Sequence, residues 1–231
     1  MITLVYAYFE NAKMLERHLE EWQQYNNKDQ YRAVIVDDCS KRNPAYFYVK
    51  DIQQPFPIEL YRINTDIPWN QDGARNLAMT HTQGWCLITD MDHLLSKESA
   101  GQLLELPLDI SQTYRPARIK AKLRDTHHPH PNSYLMHREN YWKIGGYDES
   151  YRGYYGTDGI FGRQVKKLTG ITNIEIPLTL FGRTDIDDAA TDDYGRHGSE
   201  YHISKSPDLM KRKKQKYDPI PPLNFKWERL L

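Results

Sequence analysis

Cysteine is nearly missing from this chain: among 231 residues there are two, Cys39 and Cys86. Both adjoin apolar, strand-like stretches, which excludes a disulfide-stapled scaffold and reads them as reduced core residues in a reducing compartment. No apolar run approaches the roughly 20 residues needed to cross a bilayer. Met1-Ile2-Thr3-Leu4 opens into a strand without the basic segment of a signal peptide, so a soluble, cytoplasmic protein is expected. Neither sign of charge is in excess, because 31 basic residues balance 31 acidic ones. That balance argues against a nucleic-acid partner. The one basic run, Lys211-Arg212-Lys213-Lys214-Gln215-Lys216, reads as a solvated helical or tail segment, with contact to an anionic membrane surface as a second reading. Also absent are an internal repeat, a low-complexity linker and a glycine-rich phosphate loop after the first apolar run, where the chain reads Tyr8-Phe9-Glu10-Asn11.

What is present alternates. Residues 2–8 are β-rich and apolar, and residues 12–25 carry Leu15, Leu19 and Trp22 on one helical face with Glu16, Glu20 and Gln23 away from it. Ala33-Val34-Ile35-Val36 is continuously apolar, as a strand covered on both faces should be. Residues 58–63 and 85–89 give two more strands, separated by a short helix over 73–81. This order predicts an α/β fold with a mainly parallel central sheet flanked by helices, whose ligand crevice lies outside the carboxyl ends of the strands. Further on, Ser96 is placed to cap a helix reaching Leu106, residues 118–123 have strand character, and residues 158–168 form a helix with Phe161, Val165 and Leu168 on one face. Residues 183–198 hold five aspartates and almost no apolar anchor, so a mobile loop is expected there. The tail is proline-rich, then aromatic at Phe225 and Trp227, and is expected to pack back on the domain.

At the carboxyl edge stand Asp37-Asp38 and, most informatively, Asp90-Met91-Asp92. Two carboxylates with one spacer at the end of a buried strand suit Mg²⁺ or Mn²⁺ better than zinc, and such an ion completes its shell with substrate phosphates. A solvated acidic strand end is the plainer explanation of a lone pair of this kind. Here four segments follow in order: the strand ending Tyr6-Ala7-Tyr8, then Val36-Asp37-Asp38-Cys39-Ser40, then Asp72-Gly73-Ala74-Arg75-Asn76, then Thr89-Asp90-Met91-Asp92. A fifth, residues 141–149 with Gly145-Gly146-Tyr147-Asp148, precedes Gly153-Tyr154-Tyr155-Gly156-Thr157-Asp158.

From about residue 2 to about residue 205 this series resembles the family-2 glycosyltransferases and the related galactosyltransferase C-terminal region, with their Rossmann-like, nucleotide-sugar-binding glycosyltransferase-A fold. The resemblance implies a single domain over residues 1–210, with a nucleotide-binding half at 1–95 and an acceptor-binding, catalytic half at 96–210, followed by the tail at 211–231. It also implies a nucleoside-diphosphate sugar donor with UDP favoured, a glycan or other hydroxyl acceptor, and Mn²⁺ or Mg²⁺ as cofactor. Asp37 or Asp38 would accept from the base or ribose; a helix cap before Ser40 is the structural alternative. The donor fork of Arg75 suits a uracil carbonyl or a phosphate, while Asn76 caps or braces its loop. Tyr6, Tyr8 and Trp69 line the base or sugar pocket or pack in the core. Asp90 faces the ribose and Asp92 binds the ion. A distal histidine completes the ligand set, His202 first and His197 second, with His127, His128 and His130 left to the acceptor side or the surface. Gly146, with Gly145, lets the backbone approach the donor sugar or makes a tight turn. Tyr147, Tyr154 and Tyr155 offer flat faces to a sugar or pack in the core. Asp158 is the general base, taking the acceptor proton in a single displacement with inversion, and Thr157 stands where the family often has an acidic residue.

Two other readings compete. A nucleotidyltransferase that makes nucleotide sugars would need the phosphate loop that Tyr8-Phe9-Glu10-Asn11 does not supply. A non-catalytic glycan-binding or assembly protein would keep the fold without turnover.

Overall fold

The computed structural model describes residues 1–122, 125–189, 199–219 and 223–231. Four strands make its parallel heart: β1 (Ile2–Tyr8), β2 (Tyr31–Asp37), β3 (Ile58–Ile63) and β4 (Trp85–Asp90). They lie in the order β3-β2-β1-β4, all parallel. The helices between them are α1 (Ala12–Gln23), α2 (Tyr46–Val49) and α3 (Gln71–Thr80).

Beyond β4 the sheet continues without a break. Its added strands are β5 (His93–Leu95), β6 (Gln112–Lys120), β7 (Thr126–His127), β8 (Tyr134–His137) and β9 (Gly170–Leu180). The order runs β4-β8-β6-β9-β5 with β7 on β6; β8 is antiparallel to β4, whereas β9 is parallel to β6. Helices α4 (Lys97–Leu104), α5 (Arg138–Ile144), α6 (Asp158–Leu168) and α7 (Pro207–Arg212) complete this half. On the far edge β10 (Trp227–Arg229) pairs antiparallel with β3, so the aromatic tail packs back on the domain.

Alternation along β1 divides the core in two. Leu4, Tyr6 and Tyr8 face α1, where Met14, Leu15, Leu19 and Trp22 are buried, while Val5 faces the opposite layer with Ala74, Leu77, Tyr141, Phe161 and Val165. Phe161 and Val165 thus lie inward as the helical period of α6 requires, but Leu168 at its end is 44% exposed. Burying a side chain such as Leu15 or Val165 stabilises the fold by about 1.5–3 kcal/mol. Cys39 and Cys86 are free thiols, both buried. Among the described residues no helix is long and apolar enough to cross a membrane.

The acidic segment departs from expectation where it is described. Helix α1 has no side-chain cap of its own, and Asp188 provides one from across the chain: its carboxylate accepts from the N–H groups of Lys13 at 2.6 Å and Met14 at 3.1 Å. Asp187 pairs with Lys13, and Ala189 and Ile186 join the core. Residues 183–189 are therefore anchored, because carboxylates that look solvated in sequence satisfy orphan donors at a helix start. Residues 190–198, which include His197, lie outside the described residues.

Candidate active site

Strand register sets the geometry of the carboxyl edge. Ala7 is flanked by Val36 and Asp90, and Tyr8 sits beside Asp37, so the acidic ends of β2 and β4 lie on either side of the end of β1. Three non-glycine residues around this edge take positive φ: Glu10 at 59°, Cys39 at 62° and Trp69 at 50°. Each such conformation costs on the order of 1–3 kcal/mol, and strain of this kind gathers where loops serve function.

Asp37 is spent on structure. Its carboxylate accepts from the backbone N–H groups of Ser40 at 2.7 Å and Ala45 at 2.9 Å, with Arg62 at 3.7 Å. Burial outweighs these partners and raises its carboxyl above the ordinary range. Asp38 is 4% exposed and accepts from the Asn70 amide at 3.4 Å. The buried Glu10 carboxylate accepts from the N–H groups of Lys41, Arg42 and Asn43 at 2.6–3.0 Å. The ring of amides after the first strand is thus filled by the protein's own anion.

Arg75, 1% exposed, ties the edge to the second half of the chain. Its guanidinium bonds Asp90, lies 3.9 Å from Asp72 and stacks over Tyr147 with its carbon 5.2 Å from the ring centre. Burial works against its charge, and Tyr147, Asp90, Asp72 and Asp158 together outweigh burial. Among the described residues its Nε and Nη1 have no hydrogen-bond partner. Asp72 is the counterweight: burial pushes its carboxyl up to about 7, with Arg75 pulling down and Asp158, Asp148 and Glu149 pushing further up. For Asp90, burial favours the proton, yet Arg75, His130 and His93 prevail and hold the carboxyl below its usual range.

Asp158 opens α6 and is partly exposed. Its Oδ1 accepts from the Asn132 amide at 2.8 Å, which fixes the carboxylate at a helix start where its charge is favoured. Thr157, at the position just before the helix, is buried at 5% exposure.

The turn through Met91 is held from both sides. His18 of α1, kept neutral by burial with its pKa lowered to about 4, bonds the Met91 carbonyl at 2.8 Å, and the Phe181 N–H donates to the Asp92 carbonyl at 2.9 Å. The Asp92 carboxylate reaches the adjacent His93 Nδ1 at 2.6 Å, and His130 Nδ1 lies 3.4 Å from Asp90 Oδ2. His130, left by the sequence to the acceptor side or the surface, thus lies against the end of β4, brought there by the segment between β7 and β8.

His202 takes a different place from the one expected. It bonds Ser204 Oγ at 2.7 Å, pairs in a short parallel bridge with Tyr155 and covers Gly156, where an added Cβ would meet its Nε2 at 2.8 Å. No ion pair or hydrogen bond joins it to Asp92. Its contacts are with the segment leading into Asp158.

Of the two places open to Tyr6, the pocket or the core, the structure gives it the core. Tyr6 is 1% exposed and packs on His18, with ring centres 4.6 Å apart, and on Trp22 at 6.0 Å, so it belongs to the core beneath α1. An even-numbered β1 side chain faces that layer, not the crevice. Tyr8 lies on the same face, whereas Trp69 packs against Tyr155 with tilted rings, their centres 5.2 Å apart.

Gly146 makes a turn around Asn76. At φ 74° it presses so close that a Cβ would stand 2.6 Å from Asn76 Oδ1. Asn76 is fully used: it donates to the Tyr147 carbonyl and Glu149, and accepts from the Tyr141 hydroxyl and the Tyr147 N–H, all at 2.5–2.9 Å. The Gly146 carbonyl accepts from Tyr217 of the tail. The basic run, meanwhile, borders a cavity of about 210 Å³ that Arg163 and Lys167 of α6 share with Lys213, Lys214 and Lys216.

A parallel sheet with paired carboxylates at its edge and a mixed second half carrying a further carboxylate defines a glycosyltransferase-A architecture. A model described as glycosyl transferase family 2 matches residues 3–155. The chain belongs to that family of glycosyltransferase enzymes. Among solved structures it is similar to S. aureus TarS, with TM-score 0.66 and 12% identity over 81% of this chain and 38% of that one. A mannosyltransferase from Pyrobaculum calidifontis in complex with GDP-Man and Mn²⁺ gives TM-score 0.61 and 13% identity over 77% and 56%. GalNAc-T7 with UDP, GalNAc and Mn²⁺ gives 0.61 and 12% over 79% and 44%. The chain thus spans 38–56% of the length of these three proteins. No curated protein matches it in sequence.

Proposed function

We propose that the chain transfers a sugar from a nucleoside-diphosphate sugar, preferentially a UDP-sugar, to a hydroxyl of a glycan acceptor, with inversion at the anomeric carbon and dependence on Mn²⁺ or Mg²⁺. The observation that carries this reading is the Asp90 carboxylate at the end of β4, held by the buried Arg75 guanidinium, whose charge Asp158 also helps to sustain. Two TarS structures hold UDP-GlcNAc and UDP and the GalNAc-T7 structure holds UDP, against GDP-Man in the mannosyltransferase, a balance that favours uridine over guanosine.

In this reading Asp38 accepts from the base or ribose, while Asp37 holds the loop that presents it. Asp158 takes the proton from the acceptor hydroxyl, which is too weakly acidic to attack unaided. The Asn132 amide keeps that carboxylate oriented, and the proton that Asp72 retains to about pH 7 limits the negative charge around it. The residues that would hold the ion are at the Asp90-Met91-Asp92 turn. Their fit is supported by the buried, unpartnered His93 Nε2 beside them. When bound, the ion neutralises charge building on the departing diphosphate.

The experiment is release of UDP from a panel of UDP-sugars in Mn²⁺ and after EDTA, with the anomeric configuration of any transfer product read by NMR. Release that needs metal and a product of inverted configuration support the proposal. Metal-independent turnover, retained configuration or binding of every donor without turnover contradicts it.

A further inference from the structure

We propose that the cavity between α6 and the tail is a binding site for a phosphomonoester or diphosphate group, set on the side of α6 away from Asp158. This site is independent of the transfer proposed above.

At about 210 Å³ the cavity has room for about seven waters, and so for one or two phosphoryl groups. Six cations line it, Arg163, Lys167, Arg212, Lys213, Lys214 and Lys216, against two carboxylates, Asp148 and Asp218. The chain as a whole is neutral, with 31 charges of each sign, so this local excess of positive charge is not inherited from composition. Charges of one sign around a concave wall raise the local concentration of anions.

Helix ends explain part of the cluster. Lys167 stands in the last turn of α6 and Arg212 in that of α7, where a cation meets the negative end of the helix. Arg163 stands in the middle of α6 and Lys216 lies past the end of α7, and the dipole accounts for neither. Among the described residues no carboxylate pairs with Arg163, Lys167, Lys213, Lys214 or Lys216.

Arg212 is fixed before any ligand arrives. Its Nε and Nη2 donate to Asp148 Oδ2 at 2.9 and 2.8 Å, and Nη2 donates also to the Asp218 carbonyl at 2.6 Å. Asp148 is 4% exposed, so the fold itself holds this pair, and Nη1 of Arg212 is left without a partner among the described residues. A guanidinium already oriented loses little freedom on binding, and its planar fork suits phosphate oxygens. The tail is tied down nearby by Tyr217, whose hydroxyl donates to the Gly146 carbonyl at 2.5 Å. A recess with one fixed guanidinium in its wall fits a discrete, multiply charged anion better than a flat membrane surface, whose charge is spread.

Helical periodicity separates this recess from the crevice. Asp158 shares the side of α6 that carries Phe161 and Val165 into the main core, whereas Ile160, Arg163, Gln164 and Lys167 recur at helical spacing on the other side.

The test titrates the full chain with pyrophosphate, in EDTA and without nucleotide, followed by calorimetry at low salt. One pyrophosphate per chain is expected, with affinity falling as salt is raised. Arg163→Gln and Lys213→Gln should each weaken binding roughly tenfold, the worth of one charge-assisted hydrogen bond. Neither change breaks an ion pair of the fold, unlike Arg212→Ala, which would strand the buried Asp148. Lys166→Gln, on the same helix but off the cavity, and Asp92→Asn should bind as the wild type does. Vesicles of phosphatidylcholine carrying phosphatidic acid, and others carrying phosphatidylserine at matched charge, distinguish the source of the group. Capture by phosphatidic acid alone, lost in Arg163→Gln, supports a lipid headgroup, and pyrophosphate binding without capture supports a soluble phosphate. No pyrophosphate bound, an equal loss in Lys166→Gln, a loss in Asp92→Asn, or equal capture by both kinds of vesicle would each overturn the proposal.

Discussion

Replacing Asp72 by asparagine should stabilise this protein at alkaline pH and leave it nearly unchanged in acid. Asp72 is 5% exposed in the first turn of α3, and burial raises its carboxyl from the ordinary 3.8 to about 7. The unfolded chain releases this proton near pH 4 and the folded one near pH 7, so between those values the folded state binds more protons and stability falls as pH rises. Above pH 7 the penalty is complete, and a rise of that size corresponds to about 4 kcal/mol. Asparagine cannot ionise, so the gap between variant and wild type should open across this window. From pH 5 to pH 8 it should grow by about 2.5 kcal/mol, equivalent to roughly 5–10 °C in Tm for a chain of this size. Urea unfolding at the two pH values, followed by circular dichroism, gives both free energies directly. A variant whose advantage is the same at pH 5 and pH 8, or one less stable than wild type at pH 8, would refute the assignment of a buried, proton-retaining carboxyl.

Two further substitutions probe the turn that carries the second half of the site. Asn76→Ala strips four hydrogen bonds and leaves the Tyr141 hydroxyl and the Tyr147 N–H buried without partners; a loss of about 3 kcal/mol or more is expected, and a urea midpoint near that of the wild type would show that the hub is dispensable. Gly146→Ala should cost clearly more than Gly84→Ala: both backbones have positive φ, but a Cβ at Gly146 meets Asn76 at 2.6 Å whereas one at Gly84 meets nothing within 4 Å. Equal shifts in Tm for the two variants would remove the close approach from the explanation.

Much of the parallel half was readable from local pattern. Strands β1 and β3 and helix α6 fall where periodicity puts them, because each buries one face or a whole strand through its own residues. Strand β2 starts earlier than its apolar run, at Tyr31, since pairing with Ile2 and Thr3 extends it and no local signal reports that partner. Strand β6 likewise begins at Gln112 instead of Arg118, held by parallel pairing with β9, whose Thr172, Asn173 and Glu175 give it little apolar pattern. In the site, Asp90 and Asp158 were legible as carboxylates at strand and helix ends. The roles of His93 and His130 were not: the first depends on a contact with its own neighbour, Asp92, and the second on a connection that brings residue 130 over β4 from 40 residues away. His18 was hidden by its place on the apolar face of α1, and the only clue lay in a polar residue buried among Leu15, Leu19 and Trp22.

The account rests above all on Asp158 as the base, and the most direct measurement compares donor binding with turnover in Asp158→Asn. Asparagine keeps the shape and the contact to Asn132 but cannot take a proton from the acceptor. UDP-sugar affinity by calorimetry should stay within a few-fold of wild type while kcat falls by roughly 10²–10⁴. Near-wild-type kcat in this variant, or a parallel collapse of donor binding and turnover, would contradict the claim that this carboxylate performs the proton transfer.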